Sequence, residues 1–481
     1  MSAGAVYLSV NGRPFTDTPP RPSATPLQPD GMDELRRRMT PVCESAVDAL
    51  EIAAALEAEG LSDQAVRTRY GYPDVFALAE HLYGWVPRRP AEPPALPERW
   101  RTRPAEHVVH GLLYATPAVC FPVAAPLLTG TATLVGFLVS TLVSWASSQA
   151  LAHLGYARAG RLDPAGSLWI LRAGTAVALG VLWVALATSA ALVPAPTAGM
   201  VFAAGQGTYL LAATVLLVCG RNRWLLLCLA PGVLGSTGFL LLGRPAWLTQ
   251  PVWWALGASL AATLVCAVVC TARPGPGGRS PARHELRDAV PPALFGLAAA
   301  GLLTFEVVAS QLTGRLSYLA PLLAAPLSVS MGAAEWNLYW YRRRTDRLLC
   351  TTRDPEEFAA GARRALLAAT TRYLAAAALL IAAMAGFAAI TDRPTRHWMT
   401  LVSCAAFLAL GGALFVALLL QAFGTSLVTP LAAAAALGIE VALAAVVDVD
   451  PVAAQLVACA ALTAGLLGYA GRVLSRVTQH G

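Results

Sequence analysis

From residue 107 onward, apolar runs of about 20 residues alternate with short polar breaks, the length a helix needs to cross a bilayer. The runs predict helices near 107–128, 131–153, 169–193, 199–219, 224–243 and 250–272, and again near 289–312, 317–341, 364–391, 398–421, 426–447 and 451–471. A Gly/Pro-rich polar loop at 273–288 divides them into two lobes, 105–272 and 289–481. Ahead of them the pattern changes. Residues 1–31 carry one short strand-like stretch ending at Asn11-Gly12 and then a proline-rich run that holds no regular structure. Residues 32–86 return to helical spacing: Leu50, Ile52, Ala53 and Leu56 share a face and Gly60 stops that helix. Ser62 caps a second helix that ends at Gly71, and Pro73 opens a third. Residues 87–104 form a stiff proline-rich tether, with Trp100, Arg101 and Arg103 as an interfacial anchor.

The second set of helices reads as a copy of the first. Leu128-Thr129-Gly130 closes span 1 as Leu312-Thr313-Gly314 closes span 7. Span 2 carries Ser144 to Gln149 where span 8 carries Ser330 to Glu335. In both lobes an arginine-bearing loop and a long third helix with an early arginine follow. The expected fold is an all-α polytopic membrane protein of about 12 transmembrane helices, arranged as two parallel six-helix repeats, with a small helical cytosolic N-terminal region.

Charge orients the helices. Residues 1–106 hold 12 arginines against 15 acids, and the remainder holds 23 against 13. Of those 23, 19 fall at one side of the spans and only Arg244, Arg315, Arg393 and Arg396 at the other. The positive-inside rule then puts both termini in the cytoplasm of a bacterial-type plasma membrane, and the first hundred residues show no apolar signal segment. Nucleic acid is not expected as a partner, because the basic residues flank apolar runs and the N-terminal helices, which have helix-turn-helix spacing, are acidic. All 35 basic residues are arginine, so there is no Walker-A lysine and no ATP-driven pump within this chain. Eight of the nine cysteines lie in or beside apolar runs and read as small buried hydrophobes. No cofactor or metal is expected; His107 and His110 with Glu106 lack a further ligand.

Ionisable groups within spans are the candidate chemistry. Arg172 and Arg372, early in spans 3 and 9, have forks suited to a lipid phosphate, or they snorkel to the headgroups. Gln149 and Glu335 occupy matching positions of the repeat and join them as candidate substrate contacts. Glu306 in span 7 and Glu440 in span 11 are candidate ion-coupling sites, or neutral carboxyls bonded between helices. Pro117, Pro122 and Pro126 punctuate span 1, and Pro291, Pro292, Pro321 and Pro326 mark spans 7 and 8, kinks suited to a gate.

Two parallel sixes, cytoplasmic termini, small outer loops and a basic loop after span 8 resemble the multidrug/oligosaccharidyl-lipid/polysaccharide flippase superfamily over roughly residues 105–475. The loop Gly155–Arg161 lacks the Asp-Arg signature of major-facilitator transporters. The resemblance implies a V-shaped pair of lobes around a cavity open to alternate sides. It also implies polysaccharide export or a related task, with membrane lipids and a lipid-linked or other amphiphilic substrate as partners. The alternatives are a non-transporting membrane scaffold that recruits a cytosolic protein through residues 32–86, and a membrane-embedded glycosyltransferase. The latter is disfavoured by outer loops too short to cover a sugar acceptor.

Overall fold

The computed structural model describes residues 31–85, 111, 113, 116–127, 130–193, 196–272, 280–312, 320–352, 354–390, 397–424 and 427–476. The strand-like stretch in 1–31, the tether with Trp100, Arg101 and Arg103, the His107/His110 pair and Arg273, Arg279, Arg315, Arg353, Arg393 and Arg396 lie outside the described residues. The chain folds as two compact units, Met1–Ala95 and Leu96–Gly481, and the described residues contain no strand.

The first unit holds four helices: α1 (Met32–Ser45), α2 (Ala49–Ala58), α3 (Asp63–Tyr70) and α4 (Val75–Trp85). Their apolar faces enclose a core of Leu35, Met39, Ile52, Leu56, Val66, Leu78 and Leu82. Caps set the boundaries. Asp48 accepts from the Leu50 and Glu51 amides, Ser62 from Ala65, and Asp74 from Ala77. Gly60 and Gly71 adopt left-handed φ of 85° and 75°, which a side chain would strain. Glu59, just past the end of α2, forms an ion pair with Arg38 of α1 at 3.0 Å.

The second unit begins with short pieces where the prolines of span 1 remove amide donors: a 3-10 turn (Thr116–Cys120), α5 (Phe121–Ala124) and a second 3-10 turn (Ala125–Leu127). Long helices follow: α6 (Thr131–Gly160), α7 (Pro164–Leu192), α8 (Thr197–Val218), α9 (Asn222–Leu241) and α10 (Ala246–Thr271). The short α11 (Arg283–Asp288) leads into α12 (Val290–Leu312). Then come α13 (Ala320–Thr351), α14 (Pro355–Ile390), α15 (His397–Ala422), α16 (Val428–Ala445) and α17 (Pro451–Val473). Ten helices among the described residues are long and apolar enough to cross a membrane. The long α13 is broken in hydropathy by Glu335 and the Arg342–Arg344 run.

Packing repeats between the lobes. In lobe 1, α6 packs on α7 and α8, α8 on α7, α9 and α10, α9 on α10, and α7 on α10. In lobe 2, α13 packs on α14 and α15, α15 on α14, α16 and α17, α16 on α17, and α14 on α17. Helices α6–α10 thus correspond one for one with α13–α17, and the Thr116–Cys120 turn packs on α9 as α12 does on α16. Each lobe has its own core, around Leu171, Leu182, Leu211 and Leu216 in the first and Leu302, Phe407, Phe415 and Leu466 in the second. Even the starts of the third spans match. Asp163 caps Pro164 by accepting from the Gly166 amide at 2.8 Å, and Asp354 precedes Pro355 and accepts from Glu356 at 3.0 Å.

Candidate functional site between and within the lobes

The lobes meet where α6 crosses α12. Gly296 makes the approach possible: a Cβ there would lie 2.6 Å from the Trp145 carbonyl oxygen and 2.8 Å from Cγ of Gln149. Trp145, from lobe 1, packs against the core of lobe 2. At the symmetry-related crossing, a Cβ on Gly111 would lie 3.1 Å from Cα of Gly332 on α13. Gly111 and Gly296 are spaced as the sequence repeats are, so the duplication extends to the lobe junction itself. Gln149 lies half-buried at the first crossing and Glu335, half-buried, three residues past Gly332 at the second. Glu335 is also within electrostatic range of Tyr156 on α6. The seam therefore holds two of the four residues expected to contact substrate.

Arg172 and Arg372 stand elsewhere. Arg172 is exposed on α7 on the stripe that continues through Ala176, Gly180 and Val184, the last 67% exposed. Arg372 is exposed on α14 on the stripe of Ala375 and Leu379, the latter 73% exposed, and its guanidinium lies 4.7 Å from the ring centre of Trp340. Neither arginine is buried at the seam, and each shares its helix face with exposed apolar residues. The helix starts also fix a register that residue spacing alone missed. Arg172 follows Pro164 at the same distance as Arg363 follows Pro355, so Arg363, rather than Arg372, is its counterpart.

Glu306 and Glu440 are fully buried in lobe 2. The Sγ–H of Cys459 on α17 donates to Glu440 Oε1 at 3.3 Å. One turn earlier, Gln455 is also fully buried and its Nε2 donates to the Leu302 carbonyl at 3.3 Å. Leu302 lies one turn before Glu306 on α12. Glu440 Oε2 and Gln455 Oε1 accept no hydrogen bond from the described residues. A polar cluster thus runs through α12, α16 and α17, in the half of lobe 2 away from the arginine-rich ends. Cys459 is a bonding partner as well as an apolar filler, and Gln455 had gone unnoticed in the sequence. Its signal was a primary amide one turn inside an apolar run that starts at the Asp450-Pro451 cap.

At the arginine-rich end, an acid ties the lobes together. Glu285 of α11 receives Arg158 Nη2 at 2.7 Å and Nε at 3.3 Å, and Arg161 Nη1 at 2.9 Å. Its carboxylate also accepts from the Ala282 amide at 3.0 Å. Arg158 and Arg161 close α6, so the clamp joins the end of span 2 to the entrance of span 7. Groups that could hold a metal ion through three or more His, Cys, Asp or Glu side chains do not occur among the described residues.

No family model matches the chain, and no curated protein matches it. The chain is similar in structure to MATE transporters. One crystal structure of a MATE protein in complex with MaD3S matches at 12% identity and a TM-score of 0.48, covering 78% of this chain and 97% of that one. A MATE protein in the straight conformation matches at 13% identity and 0.46, covering 78% and 97%. The MATE transporter ClbM in complex with Rb+ matches at 13% and 0.43, covering 77% and 92%.

Proposed function

We propose that this all-α, multi-pass membrane protein is a secondary transporter that moves an anionic amphiphile, such as a lipid-linked saccharide, across the membrane by alternating access. The observation that carries the reading is the duplicated lobe pair, joined at two symmetry-related glycine crossings. Two rigid lobes around a pseudo-symmetric seam can rock while each core stays packed. Gln149 and Glu335 then line the seam through which substrate passes. Arg172 and Arg372 meet an anionic headgroup from the membrane side, offering planar, bidentate donors to its phosphate. Glu306 and Glu440 take up and release a proton or a cation in lobe 2, where a buried carboxyl is costly without a task. Both termini lie in the cytoplasm, following the arginine bias. The reaction makes and breaks no covalent bond.

The second reading, a scaffold, draws on the separate four-helix unit at the N-terminus, with its own core and with Val47, Leu50, Phe76 and Trp85 exposed on its surface. Recruitment of a cytosolic protein through that unit is compatible with transport.

Reconstitution into proteoliposomes with a fluorescent lipid-linked saccharide separates the readings. Wild type moves the lipid faster under an imposed proton or sodium gradient, whereas Glu306→Gln and Glu440→Gln lose the response to the gradient at equal incorporation. Absence of transport in wild type under every gradient favours the scaffold. Unchanged gradient response in both variants removes the coupling role.

A further inference from the structure

The arginine-rich end of lobe 2 contains a pocket that the transport reading does not use. It lies between α14 and α17, has a volume of about 520 Å³, and is lined by Arg363, Gly468, Gly471, Arg472, Ser475 and Arg476. Three arginines line it, Arg363 of α14, Arg472 of α17 and Arg476 just past its end, and no acidic side chain among the described residues does so. None of the three arginines forms an ion pair among the described residues. Arg342, by comparison, donates to the Ala422 carbonyl at 2.7 Å, and Arg158 is held by Glu285. The glycines supply the room: a Cβ on Gly468 or Gly471 would meet no atom within 4 Å. Ser475 adds a hydroxyl at the rim; its Oγ–H donates to the Arg472 carbonyl at 3.2 Å, leaving oxygen lone pairs but a committed proton.

We infer that this pocket binds the phosphate of an anionic phospholipid in the leaflet facing the arginine-rich side. Charge, shape and position agree. Guanidinium forks give paired donors to phosphate oxygens. The pocket lies at the arginine-rich ends of α14 and α17, where the apolar runs of spans 9 and 12 stop, so acyl chains could lie along the apolar helix faces beside it. A free phosphate ion would satisfy the donors but would gain nothing from that position. The site is distinct from the seam and from the buried carboxyls.

The full-length protein, purified in neutral detergent, is titrated with short-chain phosphatidylglycerol, with phosphatidylcholine and with inorganic phosphate, and bound lipid is counted by native mass spectrometry. Wild type should bind one phosphatidylglycerol in preference to phosphatidylcholine, with phosphate displacing it only weakly. The triple variant Arg363→Gln/Arg472→Gln/Arg476→Gln should weaken that binding at least about tenfold more than the control triple Arg343→Gln/Arg344→Gln/Arg347→Gln. Each set removes three exposed charges from the same side of the membrane, and diffuse attraction would treat them alike. Gly471→Leu, which keeps every charge but occupies the pocket, should weaken binding as the site triple does. Equal losses in the two triples would overturn the proposal. So would equal affinity for the two lipids, or tight phosphate binding without lipid binding. Retention of lipid in Gly471→Leu would do so as well.

Discussion

Replacing Glu285 with glutamine should loosen the joint between the lobes at the arginine-rich end. The side chain of Arg158 is 8% exposed and that of Glu285 11%, so the pair lies close to the buried limit. An exposed ion pair contributes about 0–1 kcal/mol, while removing one partner of a buried pair costs about 3–5 kcal/mol because the other charge is left desolvated. Glutamine retains shape and one carbonyl acceptor, and Asp163 remains 3.8 Å from Arg158 Nη1. The expected loss for Glu285→Gln is therefore about 2–3 kcal/mol, between those limits. Arg161→Gln should cost well under 1 kcal/mol, because its side chain is 56% exposed. The assay is thermal unfolding of the detergent-solubilised protein, followed by intrinsic tryptophan fluorescence and by monodispersity on size exclusion. A double-mutant cycle with Arg158→Gln isolates the pair. A Glu285→Gln protein that melts with wild type, or a cycle with no coupling between positions 158 and 285, would refute the reasoning.

Gly296→Leu, which places a side chain against the Trp145 carbonyl, should cost about 1–3 kcal/mol as an overpacked site and stop transport. Gly257→Leu, where a Cβ meets nothing within 4 Å, serves as the control in the same melting and flux assays. In the N-terminal unit, Leu56→Ala should lower stability by about 2–5 kcal/mol, read as loss of α-helical circular dichroism from the isolated 31–95 segment on urea titration. Its exposed neighbour Leu50, 62% accessible, should tolerate alanine. The double variant Arg172→Gln/Arg372→Gln should slow transport of an anionic, phosphate-bearing lipid substrate while leaving a phosphate-free neutral lipid unchanged, and equal effects on both would remove the headgroup role.

Most of the membrane unit was legible because an apolar run of helical length has one low-cost solution in lipid. The run at 199–219 became Thr197–Val218, and that at 451–471 became Pro451–Val473. Ends were less legible where helices outlast their hydrophobic segment. The runs stop at the first arginines, but α6 continues to Gly160, α13 to Thr351, and α14 starts back at Pro355, because a polar turn can remain helical in headgroups or water. In the N-terminal unit, the caps Asp48 and Asp74 and the bounds of α1 were not legible. The α1 segment contains Pro41 and three consecutive arginines, which disguise the Leu35, Met39 and Cys43 stripe. The seam was legible only in part. Matching Gln149 to Glu335 located it, but the permissive glycines Gly111 and Gly296 are invisible without knowing which helices cross. The buried cluster was half visible: carboxylates in apolar runs announce themselves, whereas Gln455 and Cys459 acquire meaning only from their neighbours in space.

The distance between the lobes tests the central claim most directly. Spin labels at Leu192→Cys, at the end of α7, and Val447→Cys, just past α16, occupy exposed positions, 77% and 62% accessible, on different lobes. With the native cysteines replaced by serine or alanine, pulsed electron resonance in nanodiscs would record their separation at acidic and alkaline pH and with sodium. Rocking lobes predict two distance populations whose ratio shifts with proton or sodium concentration, and a shift abolished by Glu306→Gln with Glu440→Gln. A single narrow distance, unchanged under all of these conditions, would contradict alternating access.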